Sequence, residues 1–224
     1  AYAREIAAKY GAKVGPGHVA ITAGCNLGFV AAAMALAKAG DAILLPSPWY
    51  FNHKMTLDML GIEARELPCS PDAGFVADPE RAARLIDGRV KAIVLVTPNN
   101  PTGAITPPGT IAAFHALARR HSIALVLDET YRDFMATASG APHALARAEW
   151  PDDLIQLYSF SKAFHIPGYR LGAVTASPRM IGEITKILDC LQICAPRIAQ
   201  GAVAWGLGAL GDWRAANRDR IQRV

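Results

Sequence analysis

The sequence predicts an α/β fold: a three-layer α/β/α sandwich built on a mostly parallel mixed sheet. Two observations carry that reading. Short apolar runs alternate with helix-patterned segments along the chain. Two of those runs, Ala92-Ile93-Val94-Leu95-Val96 and Ala124-Leu125-Val126-Leu127, are apolar throughout. A strand exposed on one face would alternate, so these strands are covered on both faces by helices.

Taken in order, the residues from Ala1 to Lys13 read as a helix already under way. Strands follow at Val19 to Thr22, Ala42 to Leu45, Glu63 to Leu67, Val90 to Val96, Ile123 to Leu127, Leu154 to Tyr158 and Gly172 to Thr175. Helices fall between them at Leu27 to Ala39, Phe51 to Leu60, Pro79 to Ile86, Pro108 to His121 and Pro178 to Cys190. Pro79 and Pro108 suit first-turn positions, with Asp78 as a cap. Asp212 is placed to cap a last helix from Trp213. Neither end carries a clear start or stop signal, so the chain is expected to be a fragment.

With 224 residues, 52% of them hydrophobic and 19% charged, the chain can bury a full core and is not disordered. The net charge of +4 is modest. Arg214, Arg218, Arg220 and Arg223 read as a solvated helix face rather than a nucleic-acid surface, since Asp219 interrupts them. Cys25, Cys69, Cys190 and Cys194 form no CxxC pair, and the expectation is buried, reduced thiols and no metal. Cys190 and Cys194 are spaced to share a helix face. No signal peptide or membrane span is evident, which points to a cytoplasmic protein.

The segment Ser159-Phe160-Ser161-Lys162-Ala163-Phe164-His165-Ile166-Pro167-Gly168-Tyr169-Arg170-Leu171-Gly172 holds the chemistry. A lysine beside hydroxyls, with an arginine a short loop later, suits an imine to a phosphate-bearing aldehyde. Upstream, Thr22-Ala23-Gly24-Cys25-Asn26 links a strand to a helix whose first amides have no internal partner and suit a phosphate. An ordinary turn capped by Asn26 is the competing explanation there. Asn100 follows one strand, Asp128 ends another and Lys162 follows a third, which is where parallel sheets place ligands. For Asp128 a helix cap, and for Lys162 a surface position, are the plain alternatives. No G-x-G-x-x-G follows the first strand, so a nicotinamide enzyme is disfavoured.

With Asn100-Pro101-Thr102-Gly103 and Asp128-Glu129-Thr130-Tyr131 in the same order, the chain resembles the large domain of fold-type I aminotransferases that use pyridoxal 5'-phosphate. The resemblance is to the class I/II, aspartate-aminotransferase-like group. It covers most of residues 1–224, and implies that an N-terminal arm and a C-terminal small domain lie outside them. By resemblance, Lys162 holds the cofactor as an aldimine and moves the substrate proton. The amides of Cys25 and Asn26 after Gly24, with Ser159, Ser161 and Arg170, bind its phosphate. Tyr50, aligned through Asn52-His53, stacks on the ring, with Trp49 and Phe51 as alternatives. Asn100 and Tyr131 meet the phenolic oxygen, Asn99 being the lesser choice. Asp128 pairs with the protonated ring nitrogen, an arrangement that offsets the cost of a carboxylate in an apolar site. Glu129 takes no role.

The resemblance further implies amino-group transfer from an L-amino acid to a 2-oxo acid by a homodimer. The arginine that grips substrate carboxylate would lie outside these residues, Arg197 being no substitute. Beta-lyases, decarboxylases and cyclopropane-forming synthases share these cofactor contacts. A transcription regulator with an aminotransferase-like domain is the rival of another class.

Overall fold

The computed structural model describes residues 1–136, 141–146 and 149–223. Helix α1 (Tyr2–Tyr10) precedes β1 (Val19–Thr22), α2 (Cys25–Leu36), β2 (Ala42–Ser47), α3 (Phe51–Met59) and β3 (Glu63–Pro68). Then come α4 (Pro79–Ala83), β4 (Val90–Val96), α5 (Pro108–Arg120), β5 (Ala124–Asp128), β6 (Leu154–Ser159) and the one-turn α6 (Phe160–Ala163). Strand β7 (Gly172–Thr175) leads into α7 (Pro178–Leu191), α8 (Arg197–Ala209) and α9 (Gly211–Ile221).

The seven strands form one sheet in the order β1-β7-β6-β5-β4-β2-β3. Strands β6, β5, β4, β2 and β3 are parallel to their neighbours, while β7 runs antiparallel to both β6 and β1. Two reversals cancel, so β1 points the same way as β6. The carboxyl ends of β1, β4, β5 and β6 therefore share one edge of the sheet. Gly172, the first residue of β7, pairs with both Thr22 and Ser159 at that edge.

Alternate residues of the apolar strands feed two cores. Ile43, Leu45, Val94, Val126 and Leu157 pack with Phe29, Leu57, Ile184 and Leu188 of α2, α3 and α7. Leu44, Ile93, Leu95, Leu125, Leu127 and Tyr158 pack with Ile6, Phe114 and Val203 of α1, α5 and α8. Three-layer packing is thus the reason these strands read as continuous apolar runs.

Several boundaries differ from expectation for local reasons. Helix α1 stops at Tyr10 because Gly11 adopts a left-handed φ of 62° and returns its N–H to Ala7 O. Asp78 does cap α4, accepting from Glu80 N, but the helix ends at Ala83. Asp212 is no cap: α9 already begins at Gly211, and Asp212 lies in its first turn. Helix α8 was not anticipated, because Gly201, Gly206 and Gly208 weaken its helical signal. Its Gly206 lets the helix lie against Phe164, which a Cβ would meet at 3.3 Å.

The thiol expectation holds only for Cys25, which is buried; Cys69 is half-buried, and Cys190 and Cys194 are exposed. Since α7 ends at Leu191, Cys194 lies beyond the helix and shares no face with Cys190. Arg214 is not a solvated residue: it contacts Glu5 Oε1 at 3.2 Å and sits 5.0 Å over the Phe164 ring. No helix among the described residues is long and apolar enough to cross a membrane.

Behind the site, Glu129 and Arg132 are buried together on the α1 side of the sheet. Tyr10 Oη and Gln156 Nε2 donate to Glu129 Oε2. The Arg132 guanidinium lies 4.1 Å over the Tyr158 ring and 3.9 Å from Glu129. Breaking a buried pair leaves an uncompensated charge, so Arg132→Ala should lower unfolding stability by about 3–5 kcal/mol in urea titrations.

Candidate active site

The shared strand edge gathers side chains from six separate segments. One cavity is lined by Cys25 and Asn26 from the start of α2, Tyr50 before α3, and Asn100 after β4. Asp128 and Tyr131 from the end of β5, Ser159, Ser161 and Lys162 from the β6–α6 junction, and Arg170 before β7 complete it. Every residue anticipated from the motifs thus meets at this cavity or, for Gly24, touches a side chain that lines it. Val96, Thr130 and Pro167 also line it without having been singled out.

Local structure explains each placement. Ser159 ends β6 and caps α6, its Oγ accepting from Ser161 N at 3.3 Å. That single turn lifts Lys162 out of the sheet edge, with Nζ 5.8 Å over the Tyr131 ring. Arg170 takes a left-handed φ of 48° and donates from Nη1 to Pro167 O at 2.8 Å, which folds the guanidinium back onto the α2 start. Gly24, at φ 90°, is the N-cap residue of α2, so Asn26 is a first-turn residue and not the cap. A Cβ at Gly24 would lie 2.3 Å from Arg170 Nη2, so only glycine admits the guanidinium there.

Gly172 makes a second close approach. A Cβ on it would sit 2.5 Å from Cys25 N and 2.7 Å from Gly24 C, both backbone atoms that cannot step aside. Gly172→Ala should therefore push the α2 turn away and lower stability by about 1–3 kcal/mol. Thermal melting of the variant beside the parent protein checks the loss.

Asp128 is a strand residue. Its Oδ1 accepts from Thr130 N at 3.0 Å, and its Oδ2 lies 3.2 Å from His53 Nε2. Both side chains are buried, and the His53 ring stacks on Phe29 at 3.9 Å. The sequence reading used His53 only to align Tyr50 and missed this contact. The available signal was its place one helical turn after Tyr50, facing the same side of the chain. Tyr50 itself accepts from Asn52 Nδ2 at 2.9 Å, and burial raises its phenol pKa. Thr130 Oγ1 donates to Cys25 Sγ at 3.7 Å, and burial pushes the Cys25 thiol well up, which keeps it protonated.

The two asparagines divide their work. Asn99 Oδ1 accepts from Thr102 N and Thr102 Oγ1, closing the turn, while Asn100 lines the cavity.

The residues fit pyridoxal phosphate by their chemistry. A primary amine, a guanidinium, two hydroxyls, helix-start amides and a buried carboxylate occupy one cavity. Ser161 Oγ, buried there, has no hydrogen-bond partner among the described residues, as a group awaiting a ligand would. Among the described residues no cluster of His, Cys, Asp or Glu could hold a metal ion.

Comparison with known proteins agrees with the fold. The chain is 31% identical to a valine–pyruvate aminotransferase of Mycobacterium tuberculosis, over 89% of this chain and 51% of that protein. It is 30% identical to a probable aspartate/prephenate aminotransferase of Thermus aquaticus, over 90% of this chain and 52% of that one. It therefore spans about half the length of the curated relatives it matches. The fold superposes on Thermus thermophilus aspartate aminotransferase solved with maleate at a TM-score of 0.89 and 27% identity, over 98% of this chain and 56% of that one. A tetra mutant of the Thermus thermophilus enzyme, complexed with tryptophan, gives a TM-score of 0.92 at 27% identity, over 99% and 58%. The family described as aminotransferase class I and II matches residues 1–224, and the chain belongs to that family.

Proposed function

We propose that this chain is the cofactor-binding large domain of a pyridoxal-phosphate aminotransferase that moves an amino group from an L-amino acid to a 2-oxo acid. The observation that carries the proposal is the meeting of Lys162 with Asp128 and Arg170 in one cavity, supplied by three separate segments of the chain.

Each residue has a task. The Arg170 guanidinium, the Ser159 and Ser161 hydroxyls and the amides of Cys25 and Asn26 bind the phosphate. Tyr50 covers one face of the ring. Asp128, oriented by His53 and Thr130, would hold the ring nitrogen in its protonated form. Asn100 and Tyr131, which line the cavity, would donate to the phenolic oxygen. When bound, the cofactor acts as the electron sink that makes the substrate's α carbon acidic. Lys162 Nζ would anchor the cofactor and, as a free amine, would take the proton from the substrate's α carbon and return it.

The segments outside this chain would supply the group that grips the substrate carboxylate. Work as a cytoplasmic homodimer belongs to the same proposal and rests on family membership.

Borohydride treatment of the complete, cofactor-loaded protein should attach a pyridoxyl group to Lys162 alone, read by peptide mass. Attachment to another lysine would refute the assignment.

A further inference from the structure

The turn that carries the α2 amides is held from outside by one side chain. Among the described residues β1 is an edge strand, with β7 as its strand neighbour on one side. On the other side Gln192 takes a neighbour's place. Its Oε1 accepts from Ala23 N at 2.7 Å, and its Nε2 donates to Ile21 O at 3.0 Å. One carboxamide thus meets a carbonyl and the amide two residues on, as a residue of a further parallel strand would.

Gln192 ends α7, and its own N–H donates to Leu188 O at 2.8 Å. The next residue, Ile193, is held at φ 59°, a left-handed conformation that is costly for a β-branched side chain. Leu188 is buried in the same core as Phe29 and Ala32 of α2. The carboxamide is therefore delivered from a fixed helix end.

What it fixes is the approach to the candidate phosphate site. Ala23 precedes Gly24, where a Cβ would lie 2.3 Å from Arg170 Nη2, and Gly24 precedes Cys25 and Asn26. Within the turn Gly24 N donates to Thr22 O, and Thr22 Oγ1 donates to Gly24 O, both at 2.8 Å. Those bonds shape the turn itself, and Gln192 ties it to α7.

We propose that Gln192 is a positioning residue for the cofactor's phosphate: it holds the Ala23-Gly24 turn so that the amides of Cys25 and Asn26 keep their aim beside Arg170. The inference rests on the cofactor-binding reading above and adds to it a residue that stands outside the cavity lining. A turn set in advance loses little freedom when its ligand arrives, so the contribution appears as affinity for the phosphate.

The complete protein, freed of cofactor, should be titrated by equilibrium dialysis with pyridoxal phosphate and with pyridoxal, which lacks the phosphate. Gln192→Met keeps the length of the side chain and loses both hydrogen bonds. It should weaken pyridoxal phosphate binding by about tenfold, the scale of one or two neutral hydrogen bonds, and leave pyridoxal binding within about twofold. Equal losses for the two compounds would mark a merely structural role and overturn the inference, as would unchanged binding of pyridoxal phosphate. Either result leaves the cofactor reading standing, which borohydride labelling of Lys162 tests by itself. Should Gln192→Met fail to fold, Gln192→Asn, too short to span both partners, should show the same selective loss, and its absence would overturn the inference. A parent protein that binds neither compound refutes the cofactor reading and this inference together.

Discussion

Lys162→Ala should lower kcat for amino transfer by at least about 10⁴-fold, because one side chain serves as anchor and proton carrier. The two roles fail together. An alanine at this position presents no nitrogen to the cofactor and no base to the substrate's α carbon. The fold should survive, since Lys162 is exposed on one turn of helix and the packing of α6 comes from Phe160 and Ala163. Cofactor should still be retained in part through Arg170, Ser159, Ser161 and the α2 amides. The measurement is single-turnover transfer beside circular dichroism and cofactor content. Normal turnover in a folded variant would end the proposed mechanism.

Asp128→Ala should reduce kcat/KM by about 10²–10³-fold, the scale seen when a preorganised electrostatic partner is removed from a site. Here the partner is doubly fixed. Thr130 N holds Oδ1 at 3.0 Å, His53 Nε2 lies 3.2 Å from Oδ2, and Phe29 stacks on the histidine. Truncation also removes the carboxylate that lies 3.2 Å from a buried histidine, which costs about 1–3 kcal/mol of stability. Asp128→Asn, which keeps the shape but not the charge, separates the two effects. It should retain most of the stability while losing most of the activity. His53→Ala should lower activity less than Asp128→Ala, since Thr130 still holds the carboxylate. Full activity in Asp128→Asn would remove the proposed role of the charge.

Much of the site was legible because its residues belong to short motifs at strand ends. Parallel strands bring their carboxyl ends to one edge, so a strand followed by Asn100, Asp128 or Lys162 already says where that side chain goes. Assignments within a motif also followed local geometry. Asn99 closes its own turn, which leaves Asn100 to line the cavity. What local reading handled poorly was helix ends and glycine-rich segments. Gly11 cuts α1 short, and the three glycines of α8 hide a helix that packing stabilises.

From the residues in order came the three-layer architecture and the placing of Lys162, Asp128 and Arg170 in motifs around the strand ends, carried by local patterns of period, turn and motif. Only the folded chain decided that His53 meets Asp128, that Gly24 and Gly172 must be bare for Arg170 and the α2 turn to approach, and that Glu129 turns away into a buried pair with Arg132. Those contacts join segments up to about 150 residues apart, such as Gly24 with Arg170. They depend on strand order and on the antiparallel placement of β7, and a spacing along the chain does not encode them.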